Sequence, residues 1–167
     1  MNGEPDGVTG ALDRRATLGL LPRAVALGAG MGLLSQMLTT GAAAAAGDTS
    51  QVVKFDPRKA LGAAGPMGPD WQVPGSPMPM GAGDLLYKSE DGKFIIMVFE
   101  AAPALVRLLP YKEDEFWLLL EGEVDFTNAA GETVVFGAGE TFLVPKGFSG
   151  LSRIRTKMRK LAILYRS

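Results

Sequence analysis

The chain has 167 residues, 47% of them hydrophobic, and a formal net charge of −1. That is enough for one packed domain and too little for two of ordinary size, and the balanced charge gives no electrostatic basis for binding nucleic acid or an anionic membrane surface. Cysteine and histidine are both absent, which removes disulfides, thiolate nucleophiles, sulfur-bound zinc and the imidazole that most often ligates metals or acts as a base near neutral pH.

Residues 1–47 read as an export signal. DRRATLGLLPR at 13–23 precedes an uncharged stretch at 24–46, rich in Ala, Gly and Leu, that ends in a run of alanines before Gly47. A basic start, an apolar middle and a small-residue end mark a cleavable signal. Arg14 and Arg15, followed by Leu18, Leu20 and Leu21, resemble the bacterial twin-arginine signal, with Asp13 and Thr17 standing where that motif prefers Ser or Thr and Phe. A periplasmic or secreted protein is the expectation. General secretory export is one alternative. An uncleaved N-terminal membrane anchor is another, because a spanning helix needs roughly 20 apolar residues; the membrane is otherwise not a predicted partner.

Residues 48–83 form a second region. Proline at 66, 69, 74, 77 and 79 forbids a continuous helix and removes ladder donors. Trp71, Val73 and the methionines at 67, 78 and 80 are too apolar for a free linker. The expectation is an extended arm lying against the rest of the domain or against a partner subunit.

From residue 84 to 167 the pattern changes to short β-type runs. LLYKS and KFIIMVFEA flank the turn EDG at 90–92, a hairpin signal. ALVRLLPY, EFWLLLEG, EVDFTN, ETVVFGAG, ETFLVPKG, SRIRT and RKLAILYRS follow, punctuated by Gly122, Gly131, Gly137, Gly139 and Gly147. Many short strands at this spacing predict an all-β sandwich or barrel. FWLLL at 116–120 is apolar on both parities and calls for a second cover besides the core; a homodimer is the favoured cover and the arm the other candidate. Acidic residues cluster at 113–125 and basic ones after Glu140, which predicts ion pairing across a solvated sheet face.

Two glycine-centred stretches resemble the cupin superfamily. The first cupin motif places a His-x-His pair, a Glu, six residues and a Gly; Glu115 and Gly122 keep the Glu-to-Gly interval. The second motif is Gly, five residues, Pro-x-Gly, two residues and His; Gly139, Pro145 and Gly147 keep it. The histidine positions fall near Leu109, Tyr111 and Gly150. Tyr111 leading into DEF, the LEGEV turn, PKGFSG and the Arg159–Lys160 pair resemble the branch that includes ureidoglycine aminohydrolase and ethanolamine-utilisation cupins, with Leu151 in place of its frequent Trp. The resemblance implies a double-stranded β-helix, the cupin jelly-roll barrel. It does not fix a reaction, because this fold hosts many chemistries.

Period-two alternation gives a facing. With Glu115 pointing inward, Trp117 and Leu119 do too; with Gly150 inward, Ser152 and Ile154 follow, and Arg153 and Arg155 stay outside. Zinc, iron or manganese sites need three or four convergent donors, and here only Glu115 survives, with Tyr111 a weak second. The expected cofactor is therefore none, a metal held by Glu115 being the less favoured alternative. Glu115, Tyr111 and Lys160 are the candidate catalytic residues; Trp117, Arg159 and Ser152 are candidate ligand contacts. The leading functional reading is a metal-free exported cupin that binds a small molecule, a carboxylate or sugar-like ligand. A hydrolase, lyase or isomerase using Glu115 as acid–base residue is the second, and an oligomeric scaffold whose pocket is filled by its own side chains is the third.

Overall fold

A computed structural model describes residues 52–167; the signal expected over 1–47 and the first residues of the arm lie outside the described residues. Ten strands run in chain order: β1 (Gly65–Pro66), β2 (Met80–Lys88), β3 (Phe94–Ala101), β4 (Ala104–Leu108), β5 (Asp114–Glu121), β6 (Glu123–Asn128), β7 (Thr133–Gly137), β8 (Thr141–Val144), β9 (Gly150–Ile154) and β10 (Met158–Tyr165). Among the described residues a single 3-10 turn, Pro69–Trp71, accompanies them. Among the described residues no helix is long and apolar enough to cross a membrane.

All strand pairings are antiparallel, in a six-stranded sheet of order β1-β2-β3-β10-β5-β8 and a four-stranded sheet of order β4-β9-β6-β7. The sheets face each other in the all-β arrangement that the strand spacing predicts, consistent with the jelly-roll barrel that the resemblance implies. Alternation decides what lies between them. On β5, Glu115, Trp117 and Leu119 are buried while Phe116 is 40% exposed. Met97, Phe99, Trp117 and Leu119 of the larger sheet meet Val106, Val124, Phe126 and Ile154 of the smaller one in a single core. Each large apolar side chain fully withdrawn from water contributes about 1.5–3 kcal/mol before the entropy of ordering it is counted.

The arm belongs to this architecture. Met67 and Trp71 are buried in the core, and the Met67 N–H donates to the Pro79 carbonyl at 2.9 Å. β2 starts at Met80, so MGAG (80–83) is strand even though its composition reads as turn. A Cβ at Gly81 would lie 2.6 Å from the Phe99 ring and 2.9 Å from the Glu100 carbonyl oxygen, so glycine lets β2 close over β3.

Farther upstream, the chain crosses the outer face of the larger sheet. Phe55 meets Tyr87 with ring centroids 6.2 Å apart, and the Arg159 guanidinium donates to the carbonyls of Pro57, at 2.9 Å, and of Lys59. This leaves uncovered the neighbouring patch around Phe116, Leu143 and Tyr165, which stays exposed. The charge clusters pair as their placement predicts: Arg155 bridges Asp125 and Glu123, at 2.9 and 3.2 Å, and Arg166 bridges Glu113 at 3.1 Å.

Candidate functional site

The two glycine motifs lie side by side along the antiparallel β5–β8 pair, Gly122 and Gly139 near one end and Tyr111 and Gly147 at the other. Gly122 turns β5 into β6 with φ 89, and a Cβ there would meet the Lys157 carbonyl oxygen and Met158 Cα. Only glycine combines that left-handed backbone with so close an approach. The residues leading into β5 are tied to the Pro145–Phe148 turn. The Tyr111 N–H donates to the Phe148 carbonyl (3.0 Å), the Gly147 N–H to the Tyr111 carbonyl (2.7 Å) and the Lys146 N–H to Asp114 Oδ1 (2.9 Å).

Inside, the Lys160 ammonium donates to Glu115 Oε1 at 2.7 Å. The two residues are 0% and 1% exposed. In the β10–β5 register Lys160 lies opposite Leu119 and Ala162 opposite Trp117. The lysine stem therefore runs back past the indole, and its Nζ lies 3.1 Å from the Trp117 ring centroid and 5.5 Å from that of Phe99. The ammonium is held by a carboxylate and by ring faces whose quadrupoles attract cations. Burial pulls the Lys160 pKa down to about 8, against the opposing pull of Glu115. Among the described residues, the Tyr111 hydroxyl is buried without a hydrogen-bond partner, as is the Trp117 indole N–H. Desolvation, and then the charge of Glu115, hold the Tyr111 pKa well above its ordinary value.

These residues do not fit a transition-metal site. Three or four donors must converge, yet Leu109 offers none, and Glu115 is already taken by an ammonium at hydrogen-bond distance. Any side chain at Gly150 would collide with the Thr127 carbonyl oxygen, so that position cannot carry a ligand at all.

Of the residues singled out from sequence, Glu115, Lys160, Trp117 and Tyr111 come together. Arg159, expected as a ligand contact, does not join them. Adjacent residues of a strand face opposite ways, so Arg159 lies on the outer face of β10, where it pairs with Glu100 at 3.1 Å and holds the Pro57 and Lys59 carbonyls. Ser152 is buried on the inner face of β9, in register with Val106 and Phe126.

Beside the Glu115–Lys160 centre lies a cavity of about 180 Å³ open to solvent, walled by Phe126, Phe136, Phe142, Val144 and Phe148, with Asn128 and Glu132 at its rim. Phe136 and Phe142 stack with centroids 3.9 Å apart, and Phe126 and Phe142 both pack on Trp117, at 5.3 and 5.2 Å. The Phe126 and Phe142 rings, and the Trp117 indole behind them, thus lie between this part of the cavity and the Lys160 ammonium. Sequence reasoning missed these phenylalanines. Their signal was parity: Phe126 shares the inward face of Val124, and Phe142 that of Val144.

Residues 88–162 match the EutQ-like cupin domain. A search of curated proteins returned no match. Among solved structures, a Pseudomonas syringae protein of unknown function is 23% identical with a TM-score of 0.62, over 73% of this chain and 51% of its own, so the chain spans about half that protein's length. The cupin domain of Schizosaccharomyces pombe Cnp3 is 20% identical with a TM-score of 0.50, over 70% of this chain and 76% of its own. An ethanolamine utilization protein Q from Salmonella typhimurium is 25% identical with a TM-score of 0.46, over 52% of this chain and 69% of its own. The first two likenesses establish a shared fold.

Proposed function

We propose that this chain, whose residues 88–162 match the EutQ-like cupin domain, is an exported cupin protein that binds a small molecule without a metal. The observation that carries the reading is the Lys160 ammonium, 2.7 Å from Glu115 and fully buried with it. A cation supplied by the chain neutralises the one motif carboxylate, and the open cavity lies next to that centre rather than on it. Resemblance to ureidoglycine aminohydrolase then extends to architecture and not to chemistry. Acid–base catalysis by Glu115 is the weaker reading, because its carboxylate is buried, engaged by the Lys160 ammonium and not among the residues that line the cavity.

The test uses the purified chain after EDTA treatment, with benzyl alcohol as a probe that fits an apolar cavity. Millimolar probe raises the Tm, by mass action on the native state, and Val134→Trp, placed at the exposed mouth, abolishes the shift. A shift that survives Val134→Trp, or that needs added metal, contradicts the reading.

The export signal at 1–47 and a homodimer complete the proposal. The uncovered patch of Phe94, Phe116, Leu143 and Tyr165 on the larger sheet supports dimerisation. Sedimentation of wild type against Phe116→Glu tests it; an unchanged monomer mass in both removes the dimer.

A further inference from the structure

The cavity wall and its rim have different chemistries, and together they specify a ligand class more narrowly than the function proposed above, on which this step rests. The wall is built from phenylalanine rings and Val144, with no hydrogen-bonding side chain among them. A sugar would leave its hydroxyls unpaired against such a wall, at a cost for each one buried. A carboxylate, expected from sequence alone, would find no cation in the lining. The charged lining residue is Glu132.

Glu132 is positioned, not merely nearby. It closes the β6–β7 turn, where the Asn128 N–H donates to the Glu132 carbonyl at 3.0 Å. Asn128 Oδ1 accepts from the N–H groups of Ala130 (2.9 Å) and Glu132 (3.0 Å), and Asn128 Nδ2 donates to Glu132 Oε2 at 2.8 Å. The amide thus orients the carboxylate through Oε2, and among the described residues none donates to Oε1, the oxygen that a ligand would meet. The lining holds no cation to oppose another there, and the Lys160 ammonium is already paired with Glu115. Trp117, on which the wall rings Phe126 and Phe142 pack, already carries one ammonium on its face, that of Lys160.

We propose that the cavity selects a small organic cation: an amine whose apolar body packs among the phenylalanine rings while its ammonium lies at the rim beside Glu132. The volume of about 180 Å³ suits a group of benzene size, since an apolar cavity of ~150 Å³ binds benzene.

Three probes of matched shape separate the terms: benzylammonium, benzyl alcohol and benzoate, each titrated into the full chain at neutral pH by chemical-shift perturbation of the tryptophan indole signals. Benzylammonium binds about tenfold more tightly than benzyl alcohol, from ion pairing and ring attraction at a partly exposed site, and benzoate binds most weakly. Glu132→Gln, an exposed substitution outside the core, removes the advantage of benzylammonium and leaves benzyl alcohol unchanged. Equal affinities for the three, or benzoate binding best, would overturn the selection of cations while leaving the binding cavity intact. Binding of none would overturn both.

Discussion

Replacing Lys160 by methionine tests whether Glu115 and Lys160 act as one unit. The stem of methionine fills much of the same space, but the carboxylate of Glu115, 1% exposed, loses the donor 2.7 Å away. Removing one partner of a buried ion pair costs about 3–5 kcal/mol, because it strands the other charge in a medium of low polarity. Losing the ammonium from the Trp117 face adds up to about 2 kcal/mol. Glu115→Leu strands the ammonium instead and falls in the same range. The double variant Glu115→Leu/Lys160→Met leaves no charge behind and is as stable as wild type or more so, since apolar replacement of buried pairs is often neutral or stabilising. Urea unfolding followed by circular dichroism measures all four free energies by linear extrapolation. The coupling closes the cycle at about 3 kcal/mol or more. Single variants that each lose less than about 1 kcal/mol, or a double variant that loses the sum of the two, would refute the pairing argument.

Other consequences are open to simpler assays. The folded pKa of Lys160, about 8, lies below the ordinary 10.5. Between those values the unfolded chain holds a proton that the native state has lost, so this group adds stability as pH rises through that window, up to about 3 kcal/mol. Tyr111 acts in the opposite sense above pH 10, because its raised folded pKa makes the unfolded chain ionise first. Wild type compared with the double variant from pH 7 to 10 shows the Lys160 rise; a flat difference contradicts it. Gly150→His, which restores the motif residue, drives a side chain into the Thr127 carbonyl and lowers the Tm by at least about 10 °C instead of creating a metal ligand; a stable, metal-binding variant would contradict the steric argument. Arg159→Ala frees the Pro57 and Lys59 carbonyls and accelerates tryptic cleavage after Arg58 or Lys59 several-fold, while unchanged cleavage would show that the guanidinium does not hold the segment.

The fold was legible because its signals are local. Glu115, Gly122, Gly139, Pro145 and Gly147 fix turns and intervals that survive when ligands are lost, and alternation placed Trp117, Leu119, Ser152 and Ile154 inside correctly. Choosing between Arg159 and Lys160 was beyond the sequence. LAILY is apolar on both parities, so alternation gives no facing for β10, and the β10–β5 ladder shifts register between Arg159 and Lys160. The strand MGAG was hidden for another reason, since its glycines answer to the Phe99 ring across the sheet and carry no strand signal of their own. The cavity depends on how β6, β7 and β8 converge, a long-range arrangement that no single segment encodes.

The central claim is that the chain supplies its own cation at Glu115 and needs no metal there. Its most direct test is the metal content of the full chain, purified without chelator and then equilibrated with manganese, iron or zinc at neutral pH, by elemental analysis. The account predicts less than about one-tenth of a metal per chain, unchanged in Glu115→Gln. One metal per chain, lost in Glu115→Gln, would contradict it.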